Sequence, residues 1–261
     1  MDDVSLSLAG KVALITGGSR GIGAETVRLF AAAGARVVFN YRVASGAAEA
    51  LVAACGGVER CVAVEQELGT AAEGRALVER AVAVFGRLDC LVVNHGVWPS
   101  HDAPIESMTD GQWSSTVGIN LDSVFGLVQG AVGQMKRQAG EGPRGYLVLV
   151  SSTAGQRGEA YHADYAATKG ALVSLTKSLS SELAGQGIYA NCVAPGWVAT
   201  DMSAPALAEA ASREKIFATI PLGRVGTPRE IAGPILFLCT PYAGFMSGEV
   251  VNVNGGAVLV G

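Results

Sequence analysis

Six short apolar runs, separated by stretches of helical spacing, constrain the fold of this chain more than any other feature. The runs are Lys11–Thr16, Arg36–Asn40, Arg60–Val64, Leu88–Val93, Tyr146–Val150 and Tyr189–Val193. Helical patterns run from the glycines after Thr16 to Ala33, where Gly34 ends them, and then over Ala44–Ala54 and Ala71–Phe85. Others cover about Glu106–Gly118, Asn120–Gln138 and Asp164–Leu183, with a break at Gly140-Glu141-Gly142-Pro143. Strands that alternate with helices form βαβ units and a mostly parallel sheet. The runs are apolar nearly throughout rather than at alternate positions, as in a sheet covered on both faces. No repeat, low-complexity linker or composition shift divides the 261 residues, which suit one large α/β domain. The expected fold is a single doubly wound α/β domain with helices on both faces of the sheet. The stretch 196–227 is the longest without a strand and is expected to form a mobile substrate flap.

Charge and cysteine usage narrow the function classes. A net charge of −4 with no Lys/Arg stripe gives no reason to expect nucleic acid. The first ten residues carry Asp2 and Asp3 and no basic segment, so they do not read as a secretory signal. No apolar run reaches the ~18 residues of a membrane span. Cys55, Cys61, Cys90, Cys192 and Cys239 lie apart with no C-x-x-C pair, so buried reduced thiols in a cytoplasmic protein are expected, with no metal.

The first strand–helix junction reads Gly17-Gly18-Ser19-Arg20-Gly21-Ile22-Gly23. Glycines let the chain turn sharply and let a phosphate approach the backbone, and the helix N-terminus adds free N–H groups and a positive dipole end. A plain βα turn needs glycine too, but this position points to a dinucleotide. The second strand ends in Asn40-Tyr41-Arg42, without the acid that accepts a ribose 2′-hydroxyl in NAD enzymes. Arg42 and Arg20 are placed to pair with a 2′-phosphate, since a guanidinium fork makes two hydrogen bonds to phosphate. NADP(H) is therefore favoured over NAD(H), although two solvated surface arginines would read the same way.

Tyr165 and Lys169 stand four residues apart, on one face of a helix. An ammonium beside a phenol favours the phenolate and is expected to lower the tyrosine pKa from about 10, allowing proton transfer near neutral pH. The same spacing arises in ordinary helices as an aromatic–lysine contact. Ser152 follows an apolar strand, at the carboxyl edge where ligands bind in open α/β sheets. Together the three supply a donor, a titratable acid and a charge, which suits carbonyl reduction by hydride.

These pieces, in this order, resemble the short-chain dehydrogenase/reductase family from Gly10 to about Gly256. The matching segments are Thr16–Gly23, Phe85-Gly86-Arg87-Leu88-Asp89, Asn94-His95-Gly96, Asn120, Ser151-Ser152, Tyr165-x-x-x-Lys169, Asn191, Pro195-Gly196 and Val253-Asn254-Gly255-Gly256. Ile220–Pro228 is similar to the 3-oxoacyl-[acyl-carrier-protein] reductase-like branch. The resemblance implies a Rossmann-type sheet of seven strands. It implies Tyr165 as general acid or base, Ser152 polarising the substrate oxygen, Lys169 on the nicotinamide ribose and Asn120 holding a relay water. It implies a cofactor site of Gly17, Ser19, Arg20, Gly21, Ile22, Gly23, Tyr41, Arg42, Glu67, Asn94, Gly96, Tyr165, Lys169, Pro195, Gly196, Val198 and Thr200. It also implies an acyl-thioester or other small ketone substrate, a possible acyl carrier protein partner and a homotetramer paired through the helices around Leu127 and Leu175.

Three positions depart from the family pattern. Val93-Asn94-His95-Gly96 stands where the family has Asn-Asn-Ala-Gly, so one structural asparagine is lost and His95 is left as a substrate contact or a packed side chain. Glu67 stands where an aspartate near the adenine is usual. Ala184-Gly185-Gln186-Gly187 lacks the arginine expected for an acidic carrier protein, although Lys136, Arg137 and Arg144 remain nearby. Trp98, His101, Trp197 and Met202, with the stretch Thr153–Asp164 that includes Gln156 and Tyr161, are the expected substrate lining and suit an apolar or aromatic ketone, although ordinary loop packing would read the same way. His162 reads as a loop histidine.

Overall fold

A computed structural model describes residues 5–138 and 142–260, so Gly140 and Glu141 of the expected break lie outside the described residues. Seven strands form one sheet: β1 (Val12–Ile15), β2 (Arg36–Tyr41), β3 (Cys61–Glu65), β4 (Cys90–Val93), β5 (Gly145–Val150), β6 (Ile188–Pro195) and β7 (Val250–Val253). Their order is β3-β2-β1-β4-β5-β6-β7 and every pairing is parallel. The winding reverses between β1 and β4, which opens a crevice at their carboxyl ends.

Period-two alternation explains the unbroken apolar runs. Along β1, Ala13 and Ile15 enter one core while Leu14 enters the other; along β4, Cys90 and Val92 part from Leu91 and Val93 in the same way. The first core lies under α1 (Gly21–Ala32), α2 (Ser45–Ala54) and α10 (Pro228–Phe237). The second lies under α3 (Ala71–Phe85), α5 (Ser123–Arg137) and α7 (Ala163–Leu183). All five cysteines are buried and free. No helix among the described residues is long and apolar enough to cross a membrane.

Several boundaries differ from the sequence reading for local reasons. The helix expected from Glu106 begins later, as α4 (Asp110–Val117), because the Thr109 hydroxyl accepts the Gln112 N–H and caps it there. No break follows Gly118: a π turn over Gly118–Asp122 carries α4 into α5. Such turns occur often at functional sites, and this one holds Asn120. Helix α10 lies beyond the strands and helices read from the sequence. Its signal was Thr227-Pro228-Arg229-Glu230, a capping box with proline at the first helical position. Leu127, expected near a subunit contact, is fully buried in its own subunit core, whereas Phe125 on the same helix is about half exposed.

Candidate active site

The carboxyl ends of the strands surround a cleft of about 560 Å³. One end is built by the glycine turn. Gly17 has φ 64°, the left-handed region that glycine enters without strain. A Cβ on Gly23 would collide with the Gly17 carbonyl, so Gly23 sets the close approach of helix to turn and does not itself line the cleft. Asn40 fixes the turn to the sheet: Oδ1 accepts the Gly17 N–H at 2.9 Å and Nδ2 donates to the Gln66 carbonyl at 2.9 Å. Asn94 does the same from β4, donating to the carbonyls of Thr16 and Gly17 at 3.0 and 3.3 Å. Helix α1 has no side-chain cap at Arg20, so its first N–H groups stay free at the cleft wall. Helices α3 and α10, by contrast, are closed by Thr70 and Thr227. A glycine turn and uncapped helix end fit a pyrophosphate. Gly96 extends the fit, since a Cβ there would stand 3.2 Å from Asn120 Oδ1 and 3.3 Å from Lys169 Nζ and would fill the space before them.

The two arginines at this end are not free. Arg42 Nη1 lies 3.3 Å from Glu67 Oε1, and Arg20 Nη1 lies 3.6 Å from Asp201 Oδ2. Glu67 therefore meets Arg42, a contact that a lone acid near the adenine would not predict.

The other end gathers Ser152, Tyr165 and Lys169 on one wall. Ser151 and Ser152 both line the cleft: Ser151 is buried and its hydroxyl donates to the Lys169 carbonyl at 2.7 Å, whereas Ser152 Oγ accepts the Ala154 N–H at 3.1 Å. Asp164 positions the tyrosine: Oδ1 accepts the Tyr165 N–H at 2.8 Å, and Oδ2 accepts from Thr116 at 2.8 Å and Gln112 at 3.1 Å. Lys169 Nζ donates to the Val150 carbonyl at 2.8 Å and stands over the Tyr165 ring, 5.7 Å from its centroid.

The expected lowering of the tyrosine pKa is overturned. Burial pushes the Tyr165 phenol up to about 12, a Ser152 hydrogen bond opposes this, and the Glu159 charge adds to it. Burial also lowers Lys169, to about 8, and its ammonium is anchored on the Val150 carbonyl.

Asn120 lies behind the wall rather than on it. Its amide clamps Val97, accepting the N–H at 2.8 Å and donating to the carbonyl at 3.0 Å, and also donates to Thr168 Oγ1 at 3.2 Å. His95 takes the packed alternative. Ile119 O, which only accepts, and Ser123 Oγ meet Nε2 at 3.1 and 2.8 Å, so Nε2 carries the proton; Nδ1 then accepts from Thr16 Oγ1 at 2.7 Å. Burial and then the Lys169 charge push His95 down to about 4.

On the substrate side the expected set divides. Trp98 and Trp197 line the cleft edge to face, 6.3 Å apart, and His162 stacks on Trp98 at 4.7 Å. Met202 lines it too, whereas His101 does not. Gln156 turns away, donating to Asn252 Oδ1 at 2.6 Å. Tyr161 is 54 % exposed outside the cleft, held there by a left-handed backbone at φ 65°. From the stretch between the serine and the tyrosine, Arg157 at the end of the short helix α6 (Ala154–Arg157) and Glu159 line the cleft; the Glu159 carboxylate accepts from Trp98 Nε1 at 3.2 Å. The segment 196–227 is tied at its base by backbone pairing of Val198 with Gly226, and it carries α8 (Ala204–Ala208) and α9 (Ala210–Ala218).

A family model described as Enoyl-(Acyl carrier protein) reductase matches residues 17–258. A 3-oxoacyl-[acyl-carrier-protein] reductase from Synechocystis is 38% identical over 257 residues, 97% of this chain and 99% of that protein. An L-rhamnose 1-dehydrogenase (NAD(P)(+)) from Azotobacter vinelandii is 38% identical, over 95% of this chain and 97% of its own length. Among solved structures, a Brucella melitensis short-chain dehydrogenase/reductase titled glucose/ribitol dehydrogenase superposes with a TM-score of 0.88 at 33% identity, over 98% of this chain and 100% of the other. With the glycine turn, the Ser152–Tyr165–Lys169 wall and full-length likeness together, the chain belongs to the short-chain dehydrogenase/reductase family of oxidoreductases.

Proposed function

We propose that this chain is an NADP(H)-dependent reductase of ketones, with a 3-oxoacyl thioester as the leading substrate class. The observation that carries this reading is the convergence of Ser152, Tyr165 and Lys169 on one wall of a cleft whose other end is an uncapped helix N-terminus. Gly17, Ser19, Gly21 and Ile22 would hold the pyrophosphate. Tyr41, Arg42, Arg20 and Glu67 would surround the adenosine, with Asn94 and Gly96 along its ribose. Pro195, Gly196, Val198 and Thr200 would flank the nicotinamide. When bound, the reduced nicotinamide supplies a hydride to the carbonyl carbon. The chain's own residues handle the oxygen. Ser152 Oγ donates a hydrogen bond to it, and Tyr165 Oη delivers the proton that completes the alcohol. A phenol pushed up to about 12 stays protonated at neutral pH, the form that donates a proton in reduction. Lys169 would orient the nicotinamide ribose, and Asn120, within the π turn, would hold a relay water that reprotonates the site.

Expected on this reading are oxidation of NADPH by a 3-ketoacyl thioester and its loss, by at least about 10²-fold, in Tyr165→Phe, with NADPH still bound. Turnover retained in that variant would remove Tyr165 from its role. A second reading, the dehydrogenation of a sugar or another secondary alcohol, draws on Arg157 and Glu159 at the substrate end and on the rhamnose dehydrogenase likeness. A panel of alcohols and ketones run with each cofactor separates the two. Tight NADPH binding without turnover across that panel would instead favour a non-catalytic cofactor-binding protein. The segment 196–227 would close over the substrate. The exposed outer face of α7, with Ala167 and Ser174, suits close helix pairing in a homotetramer, and the free buried thiols suit a reducing compartment such as the cytoplasm.

A further inference from the structure

The carboxylate missing from the end of β2 is supplied by the neighbouring strand. Tyr41 and Glu65 are register partners at the parallel β2–β3 edge, so the chain just beyond each strand emerges side by side. Two contacts fix this exit: the Tyr41 carbonyl accepts the Gln66 N–H at 2.9 Å, and Asn40 Nδ2 donates to the Gln66 carbonyl at 2.9 Å. Glu67 then meets Arg42 at 3.3 Å, with both side chains facing the same cleft. Arg20 stands the same way toward Asp201, at 3.6 Å. Each arginine at the adenosine end therefore has an acid beside it.

We propose that Glu67 is a specificity-determining residue that makes this end of the cleft accept dinucleotides with and without a 2′-phosphate. The inference rests on the reading of the cleft as a nicotinamide dinucleotide site. A free ribose 2′-hydroxyl needs an acceptor, and Glu67 offers a carboxylate oxygen. A 2′-phosphate needs a cation, and Arg42 offers a guanidinium. The two demands are met by one exchangeable pair. Arg42 and Glu67 are 62% and 64% exposed, so their ion pair is weak and a phosphate displaces the carboxylate readily. The displaced carboxylate stays beside the phosphate, however, and its charge limits the preference that two arginines alone would create.

The test uses adenosine diphosphate ribose and its 2′-phosphorylated form, which report on this end without the reaction. Calorimetric titration of the wild-type chain at low salt is expected to give dissociation constants within about tenfold of each other. Glu67→Gln is expected to widen the ratio toward the phosphorylated ligand by about tenfold, and Arg42→Gln to reverse it. The ratio cancels any general loosening of the site, since that weakens both ligands alike. A ratio unchanged within about twofold in Glu67→Gln, or one beyond about a hundredfold in the wild type, overturns the proposal. If neither ligand binds the folded wild-type chain, the dinucleotide reading itself fails.

Discussion

At the scale of single residues, hydrogen-bond inventory decides roles that sequence left open. His95 reads equally well as a substrate contact or a packed side chain until its neighbours are seen. Both ring nitrogens are then occupied, by Thr16 on one side and by Ile119 and Ser123 on the other. The neutral ring this requires has a consequence for stability. The folded pKa, near 4, lies below the ordinary 6.5, so the unfolded chain binds the extra proton first as pH falls. Stability from this group is therefore complete above pH about 6.5 and is lost progressively toward pH 4, by about 2–3 kcal/mol in all. Urea unfolding of His95→Asn, which cannot take up that proton, is expected to show a correspondingly shallower loss between pH 7 and 4. The phenol of Tyr165 teaches the converse. Its spacing to Lys169 was legible, but the sign of its shift was not, because burial outweighs the opposing hydrogen bond from Ser152.

At the scale of elements, the sequence located most helices and strands because periodicity and caps are local. Close contacts between elements are not. Helices α3 and α5 meet through glycines: a Cβ on Gly126 would collide with the Ala71 carbonyl, and one on Gly74 with the Ser123 carbonyl. Neither glycine has a positive φ, so neither is required by its own backbone. Gly126→Ala is expected to destabilise by about 1–3 kcal/mol through overpacking, despite the better helix propensity of alanine. A chemical-denaturation midpoint at or above that of the wild type would show that the two helices can separate at no cost. The π turn between α4 and α5 belongs here too. Sequence placed a helix on each side of Gly118, and only packing made them one continuous element holding Asn120.

At the scale of the whole molecule, the two ends of the sheet divide the work. The carboxyl end carries the cleft, and the opposite end carries Asp89, which is 2% exposed. Asp89 accepts the Val12 N–H at 2.9 Å and both arms of Arg87 at 2.6 and 2.8 Å, tying β1 to β4. Asp89→Ala leaves the buried Val12 N–H unpaired and is expected to cost about 3–5 kcal/mol. At roughly 2–4 °C per kcal/mol the melting temperature falls visibly. The folded fraction should keep its kcat, because the change lies across the sheet from Tyr165; a proportional loss of kcat would join the two ends. By itself the sequence determined the strand–helix alternation, the glycine turn, the positions of Ser152, Tyr165 and Lys169 and the family, because each is written in local spacing or contiguous motif. The tertiary structure alone decided that Glu67 meets Arg42, that His95 is packed, that Gln156 and Tyr161 leave the cleft and that desolvation makes Tyr165 a weaker acid. Those outcomes depend on which distant residues share a wall and how much water they exclude, and neither quantity has a local signature in the chain.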